Sequence, residues 1–214
     1  MKQGFWAIFD FDGTLVDSQW VWQTMLLRVL AERGHEIDEA DVERCLDRDW
    51  LSFHEEFLEK YGETKPLFSH YRDLHAYMEI FYRDRVLWKP GAREYLEYLK
   101  EKGVRLALYS TTPEYLLRTA LGRLEATDLF DVLISGEDRG WSKKDPQSFR
   151  KCMDLLGTDA EHCVMYEDSL YSIRSAKEAG MTVYAVQERC FRHNREKICA
   201  LADRFAVHLT DFAE

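Results

Sequence analysis

From Pro90 onward the chain alternates between short apolar runs and amphipathic segments of helical period. A continuous apolar run too short for a helix must be covered on both faces, and strands covered on both faces belong in a parallel sheet sandwiched between helices. The spacing predicts helices at Gly91 to Lys102, Pro113 to Leu124, Pro146 to Leu156, Leu170 to Ala179 and Phe191 to Ala202. Strands are predicted at Val104 to Tyr109, Val132 to Ile134, Cys163 to Tyr166, Thr182 to Val186 and Phe205 to His208, and one more lies upstream at Phe5 to Phe9. The expected fold class is α/β: a Rossmann-like parallel sheet core with helices on both faces.

Between the first strand and Trp88 the alternation is suspended. Ser18 to Gly34 carries apolar residues at Trp22, Leu26, Val29 and Leu30, with Ser18 placed to cap a helix and Gly34 to end it. Helical patterns follow at about Asp38 to Asp47, Trp50 to Tyr61 and Lys65 to Arg85, with no strand among them. An all-helical piece inside an α/β chain reads as an inserted cap. The division expected is residues 1–16 and 88–214 for the core and 17–87 for the cap, with hinges near Leu15 to Ser18 and Arg85 to Pro90. Most of the cap's aromatics recur at helical spacing and suit the core of a small bundle; its His54, His70 and His75 have no assigned role.

At 214 residues and 46% hydrophobic the chain has enough material for one domain with a modest insertion. Its net charge of −10 disfavours nucleic acid and anionic membranes as partners, since backbone phosphates reward clustered Lys and Arg. The five cysteines are odd in number and lack CxxC spacing, which suggests reduced thiols in a cytoplasmic protein. No apolar run approaches the roughly 20 residues of a membrane span.

Ligands of an open α/β sheet sit beyond the carboxyl ends of its strands, and the first four predicted strands each carry something there. The first ends in Asp10 and Asp12 before a Gly13-Thr14 turn; residues two apart on a strand face the same side, so two acids share a site where a cation or proton must offset their repulsion. The second ends in Ser110-Thr111-Thr112, hydroxyls and backbone N–H groups suited to an anion. Lys143 and Lys144 follow the third, and Glu167-Asp168-Ser169 the fourth. Singly, these are ordinary turns and helix caps. Together at one sheet edge they form an oxygen-ligand Mg²⁺ site beside an anion pocket, the parts that phosphoryl transfer needs.

At these residues the chain resembles the haloacid dehalogenase superfamily of phosphohydrolases, in the branch with a helical cap after the first motif that includes β-phosphoglucomutase and phosphoglycolate phosphatase. The resemblance covers essentially the whole chain. DFDGTLVDS matches the first motif, implying Asp10 as nucleophile and Asp12 as general acid/base, with the Asp12 carbonyl lent to Mg²⁺. ALYST implies Ser110 on the phosphoryl group, with Gly13, Thr111 and Thr112 beside it. Where the family has Lys-Pro-x-Pro this chain has Lys143-Lys144-Asp145-Pro146, so Lys143 takes the catalytic slot and Lys144 replaces a proline. YEDSLYSIRSAKEAGM implies Asp168 as metal ligand with Glu167 assisting, and Ser172 stands where glycine is usual.

Asp12 argues against dehalogenation, because the superfamily's dehalogenases lack that acid and use no metal. The mutase-like relatives carry a histidine twelve residues after the nucleophile, where this chain has Trp22, and their glycine-centred cap loop has no counterpart in Leu46 to Ser52. The expected activity is a Mg²⁺-dependent phosphatase acting on a small phosphorylated metabolite through an aspartyl-phosphate. A sugar-phosphate mutase is the alternative, and a non-catalytic binding regulator a third.

Overall fold

Trp6–Phe9 form β1, and all four residues are buried. Successive strand side chains point to opposite faces, so such a strand needs cover on both sides. In the computed structural model, which describes residues 4–38, 59–62 and 71–213, it has it. Ala7 and Phe9 join one hydrophobic cluster with Leu106, Leu108, Val164 and Tyr166. Trp6 and Ile8 join a second with Ala107, Tyr109 and Met165.

The other strands are β2 (Val16–Asp17), β3 (Leu87–Trp88), β4 (Arg105–Ser110), β5 (Val132–Ser135), β6 (Cys163–Glu167), β7 (Thr182–Val186) and β8 (Arg204–Ala206). β1 and five of these make one sheet in the order β5-β4-β1-β6-β7-β8, with every neighbouring pair parallel. The chain therefore steps outward from β1 through β4 to β5, returns to the other side of β1 as β6, and steps outward again. That reversal opens a crevice at the carboxyl end of β1, the usual ligand position in an open α/β sheet. All six strands are those the sequence predicts, with ends shifted by a residue or two.

The departures are local. The stretch expected to be free of strand contains β2 and β3, which pair antiparallel with Val16 opposite Trp88 and Asp17 opposite Leu87. Two residues per strand are too few to show a period, and the ribbon lies at the two expected hinges. The helix expected over Phe191 to Ala202 is a 3₁₀ segment, Arg189–Asn194, followed by an α-helix, Arg195–Leu201. The last strand ends at Ala206, because His208 and Asp211 instead form a capping box for the final 3₁₀ turn. A short helix at Gly136–Arg139, capped by Ser135, is additional.

In the inserted segment, the helix Gln19–Glu32 ends at Gly34, which has the left-handed φ of +86° expected of a helix stop. Tyr71–Asp84 forms the later part of the helix expected over Lys65 to Arg85. Trp20 meets Phe81 edge-on, with ring centroids 5.3 Å apart, so the two helices pack together. All but the first residue of the helix expected at Asp38 to Asp47, nearly all of that at Trp50 to Tyr61, the Leu46 to Ser52 loop, and His54 and His70 lie outside the described residues. Cys152, Cys163 and Cys190 are buried and outside any disulfide, as small core residues are expected to be. Among the described residues no helix is long and apolar enough to cross a membrane.

Candidate active site

The Asp10 backbone N–H donates to Tyr166 O at 3.0 Å, the last ladder bond that β1 makes with β6. Asp10 thus emerges level with Glu167. The chain then turns at Gly13, whose φ is +86°. Only glycine fits there: a Cβ would lie 2.0 Å from Asp168 Oδ2 and 2.8 Å from Gln19 Nε2. The turn is tied from outside by Lys89, whose Nζ donates to Gly13 O at 2.6 Å, Gln187 O at 2.7 Å and Glu188 Oε2 at 2.8 Å.

Lys143 is 2% exposed. Its Nζ donates to Asp10 Oδ1 at 2.6 Å and Glu167 Oε1 at 2.8 Å, and it sits 5.2 Å from the Tyr109 ring centroid. Asp145 caps the helix that follows, Pro146–Leu156, which anchors the loop delivering Lys143. Lys144 is exposed. The second oxygen of Glu167 accepts from Asp168 N, Ser169 N and Ser169 Oγ at 2.8, 2.9 and 3.0 Å, so Glu167 both pairs with Lys143 and opens the helix Leu170–Glu178.

Asp10, Glu167 and Asp168 each offer a carboxylate oxygen within 4.8 Å of the others, all three residues being buried. One ammonium does not neutralise three such acids. Burial pushes Asp10 up to about 7 against the pull of Lys143, with Glu167 and Asp12 adding to the rise. Burial, then the charges of Glu167 and Asp10, raises Asp168 well above the carboxylate range. Lys143 moves up, the attraction of Asp10 and Glu167 outweighing its desolvation, and Glu167 moves down, held below its ordinary value by Lys143 against the cost of burial. The remaining excess of negative charge suits a hard divalent cation. The donor set fits one: the ligands on offer are all oxygens, and Gln19 Nε2 already bridges the Asp12 carbonyl at 2.8 Å and Asp168 Oδ2 at 3.3 Å.

The Asp12 carboxylate meets three hydroxyls. Ser18 Oγ donates to Oδ1 at 2.5 Å, Thr112 Oγ1 donates to Oδ2 at 2.5 Å, and Tyr82 OH also donates to Oδ1. Ser18, expected as a helix cap, directs its hydrogen to the acid. Ser110 Oγ, buried, accepts from Thr112 N at 3.1 Å, which leaves its own hydrogen for a ligand. Thr111 is exposed beside it. The Glu114 N–H, at the start of the helix after Pro113, is taken by Asp138 Oδ2 at 2.8 Å, so the anion-holding donors lie earlier, in the Ser110 loop.

The structure therefore brings Asp10, Asp12, Gly13, Ser110, Thr112, Lys143, Glu167 and Asp168 to one crevice, with Thr111 at its edge and Lys144 exposed. Ser18, Gln19, Tyr82 and Lys89 are additional. Ser18 belongs to the DFDGTLVDS stretch but carries only a helix-cap signal there; the other three make contacts that no local pattern announces.

A parallel sheet with acids, a buried lysine and a serine gathered at its switch point defines an α/β enzyme. The chain belongs to the haloacid dehalogenase-like hydrolase family, whose sequence pattern matches residues 7–186. It is 31% identical over 188 residues to a phosphorylated carbohydrates phosphatase of Thermotoga maritima, covering 84% of each chain. It is 29% identical over 198 residues to hexitol phosphatase B of Escherichia coli K12, covering 82% of this chain and 80% of that one. Among solved structures, a haloacid dehalogenase-like hydrolase from Bacteroides fragilis matches with a TM-score of 0.80 at 25% identity, covering 99% of this chain and 100% of that one. The family and fold expected from the motifs are both borne out.

Proposed function

We propose that this protein is a Mg²⁺-dependent phosphatase that releases phosphate from a small phosphorylated metabolite, a sugar phosphate foremost, by way of an aspartyl-phosphate on Asp10. The observation that carries the reading is the buried Lys143, 2.6 Å from Asp10 and 2.8 Å from Glu167, at the switch point of the sheet. The relatives' names point to phosphorylated carbohydrates and hexitol phosphates as the substrate class. Residues 17–87 then serve as the cap that closes over the substrate.

Asp10 attacks phosphorus as a carboxylate; a P–O bond forms to its oxygen while the bond to the leaving oxygen breaks. Lys143, the Ser110 hydroxyl and the backbone N–H of Thr111 offset charge on the transferring oxygens. Asp12 gives its proton to the leaving oxygen, then takes one from the water that attacks the phosphoryl group, releasing phosphate and regenerating Asp10. Asp10, Asp168 and the Asp12 carbonyl would hold Mg²⁺, with Glu167 orienting Asp168, and the ion would supply further positive charge against the phosphoryl oxygens. Gly13 leaves the room that Asp168 needs, Thr112 orients Asp12, and Lys144 takes no part in the chemical steps.

Trp22 supports hydrolysis over the mutase alternative. Where the mutase-like relatives have a histidine, its indole N–H is spent on Tyr82 at 3.1 Å, so the position offers no base to a sugar hydroxyl. Phosphate release from a panel of sugar phosphates should require Mg²⁺ and vanish in Asp10→Asn, and Mg²⁺ should raise the thermal midpoint of the protein without substrate. Undiminished turnover in Asp10→Asn, or isomer exchange without phosphate release, would overturn the proposal.

A further inference from the structure

Tyr82 lies 70 residues from Asp12, on the helix Tyr71–Asp84, and is fully buried. Its phenol oxygen stands between two partners, Trp22 Nε1 at 3.1 Å and Asp12 Oδ1. An indole N–H can only donate, and a phenol has one hydrogen. Trp22 therefore donates to the phenol oxygen and the single phenol hydrogen goes to Asp12, so the direction of the chain is set by the residue types. Phe11 stacks on the Tyr82 ring with centroids 6.4 Å apart and limits its tilt. Tyr82 is fully buried, so replacing it by Phe takes one of the three donors from Asp12 and leaves the Trp22 indole N–H without its acceptor.

The three hydrogens on Asp12 have different origins. Ser18 and Thr112 donate from the two segments that border the acid. Tyr82 donates from the far end of the inserted segment, and Trp22, which orients it, comes from the first helix after Asp12. We propose that Tyr82 and Trp22 are positioning residues that hold the Asp12 carboxyl in place for proton transfer, so that the packing of the two inserted helices sets the acid's orientation. This rests on the acid/base role of Asp12 proposed above. It also gives Trp22, the residue that departs from the mutase pattern, a purpose of its own.

Leaving-group dependence tests it. The ratio kcat/KM covers the steps up to departure of the first leaving group. A nitrophenolate leaves without a proton, whereas a sugar alkoxide needs one from Asp12. Positioned general acids contribute about 10²–10⁴-fold, and misplacing one should forfeit a share of that. Tyr82→Phe should therefore lower kcat/KM for the fastest sugar phosphate of the panel by about tenfold or more while leaving that for p-nitrophenyl phosphate within about threefold. Trp22→Phe should show the same skew, smaller in size, and decides the matter alone if Tyr82→Phe gives no cooperative thermal transition. Equal losses on both substrates, which a merely structural role would produce, or no loss on either, would overturn the relay. Asp12→Asn separates the two levels of the argument. A skew there with none in Tyr82→Phe or Trp22→Phe refutes the relay alone; no skew in Asp12→Asn refutes the acid/base role and the relay with it.

Discussion

Replacing Lys143 by Met keeps a side chain of similar length while removing the ammonium that bonds both Asp10 and Glu167. Taking away one partner of a buried charge pair costs about 3–5 kcal/mol, because the other charge stays buried without compensation. A chain of this size loses about 2–4 °C of midpoint per kcal/mol, so the metal-free variant at pH 8 should melt about 6–20 °C below the parent. The loss should shrink at pH 6. Asp10 already sits near 7 with Lys143 present, and without it the carboxyl protonates still more readily and sheds its charge. Circular dichroism melts in EDTA at the two pH values measure this, and phosphate release with Mg²⁺ should fall by about 10²-fold or more. Lys144→Met, at an exposed site, should stay within about 0.5 kcal/mol and keep its turnover. A Lys143→Met variant that melts and turns over like the parent, or a loss that follows Lys144 instead, would refute the reasoning.

Gly13→Ala would force a side chain onto a φ of +86° with its Cβ 2.0 Å from Asp168 Oδ2. Titration calorimetry should show Mg²⁺ affinity reduced by about tenfold or more, as seen when groups that orient metal ligands are disturbed; parental affinity would show that Asp168 does not depend on that turn. The metal-free protein should also become more stable as pH falls from 8 to 6. Asp10 is raised from 3.8 to about 7 and Asp168 is raised as well, so the native state binds more protons than the unfolded chain. The stabilising contribution of Asp10 is complete below 3.8 and is lost as pH rises through about 7, and that of Asp168 has the same sign. A thermal midpoint in EDTA that climbs from pH 6 to pH 8 would contradict this sign.

The six sheet strands and the acids at their ends were legible in the sequence because both are local signals. A run such as Trp6–Phe9 declares double-sided burial by its composition, and Asp10 and Asp12 declare a shared side by their spacing. The α/β class, the inserted helices and the family followed from residues read a few at a time. Tertiary structure decided what such windows cannot contain. It buried Lys143 between Asp10 and Glu167 and left its neighbour Lys144 exposed, although the two are the same residue type one position apart. It paired Val16–Asp17 with Leu87–Trp88 across the insertion, and it turned Ser18 from a helix cap into a donor to Asp12. It also brought Tyr82 to the acid, and no periodicity encodes a partner 70 residues away. Periodicity is set by near neighbours along the backbone, whereas these contacts exist only once two separately built surfaces have packed against each other and expelled the water between them.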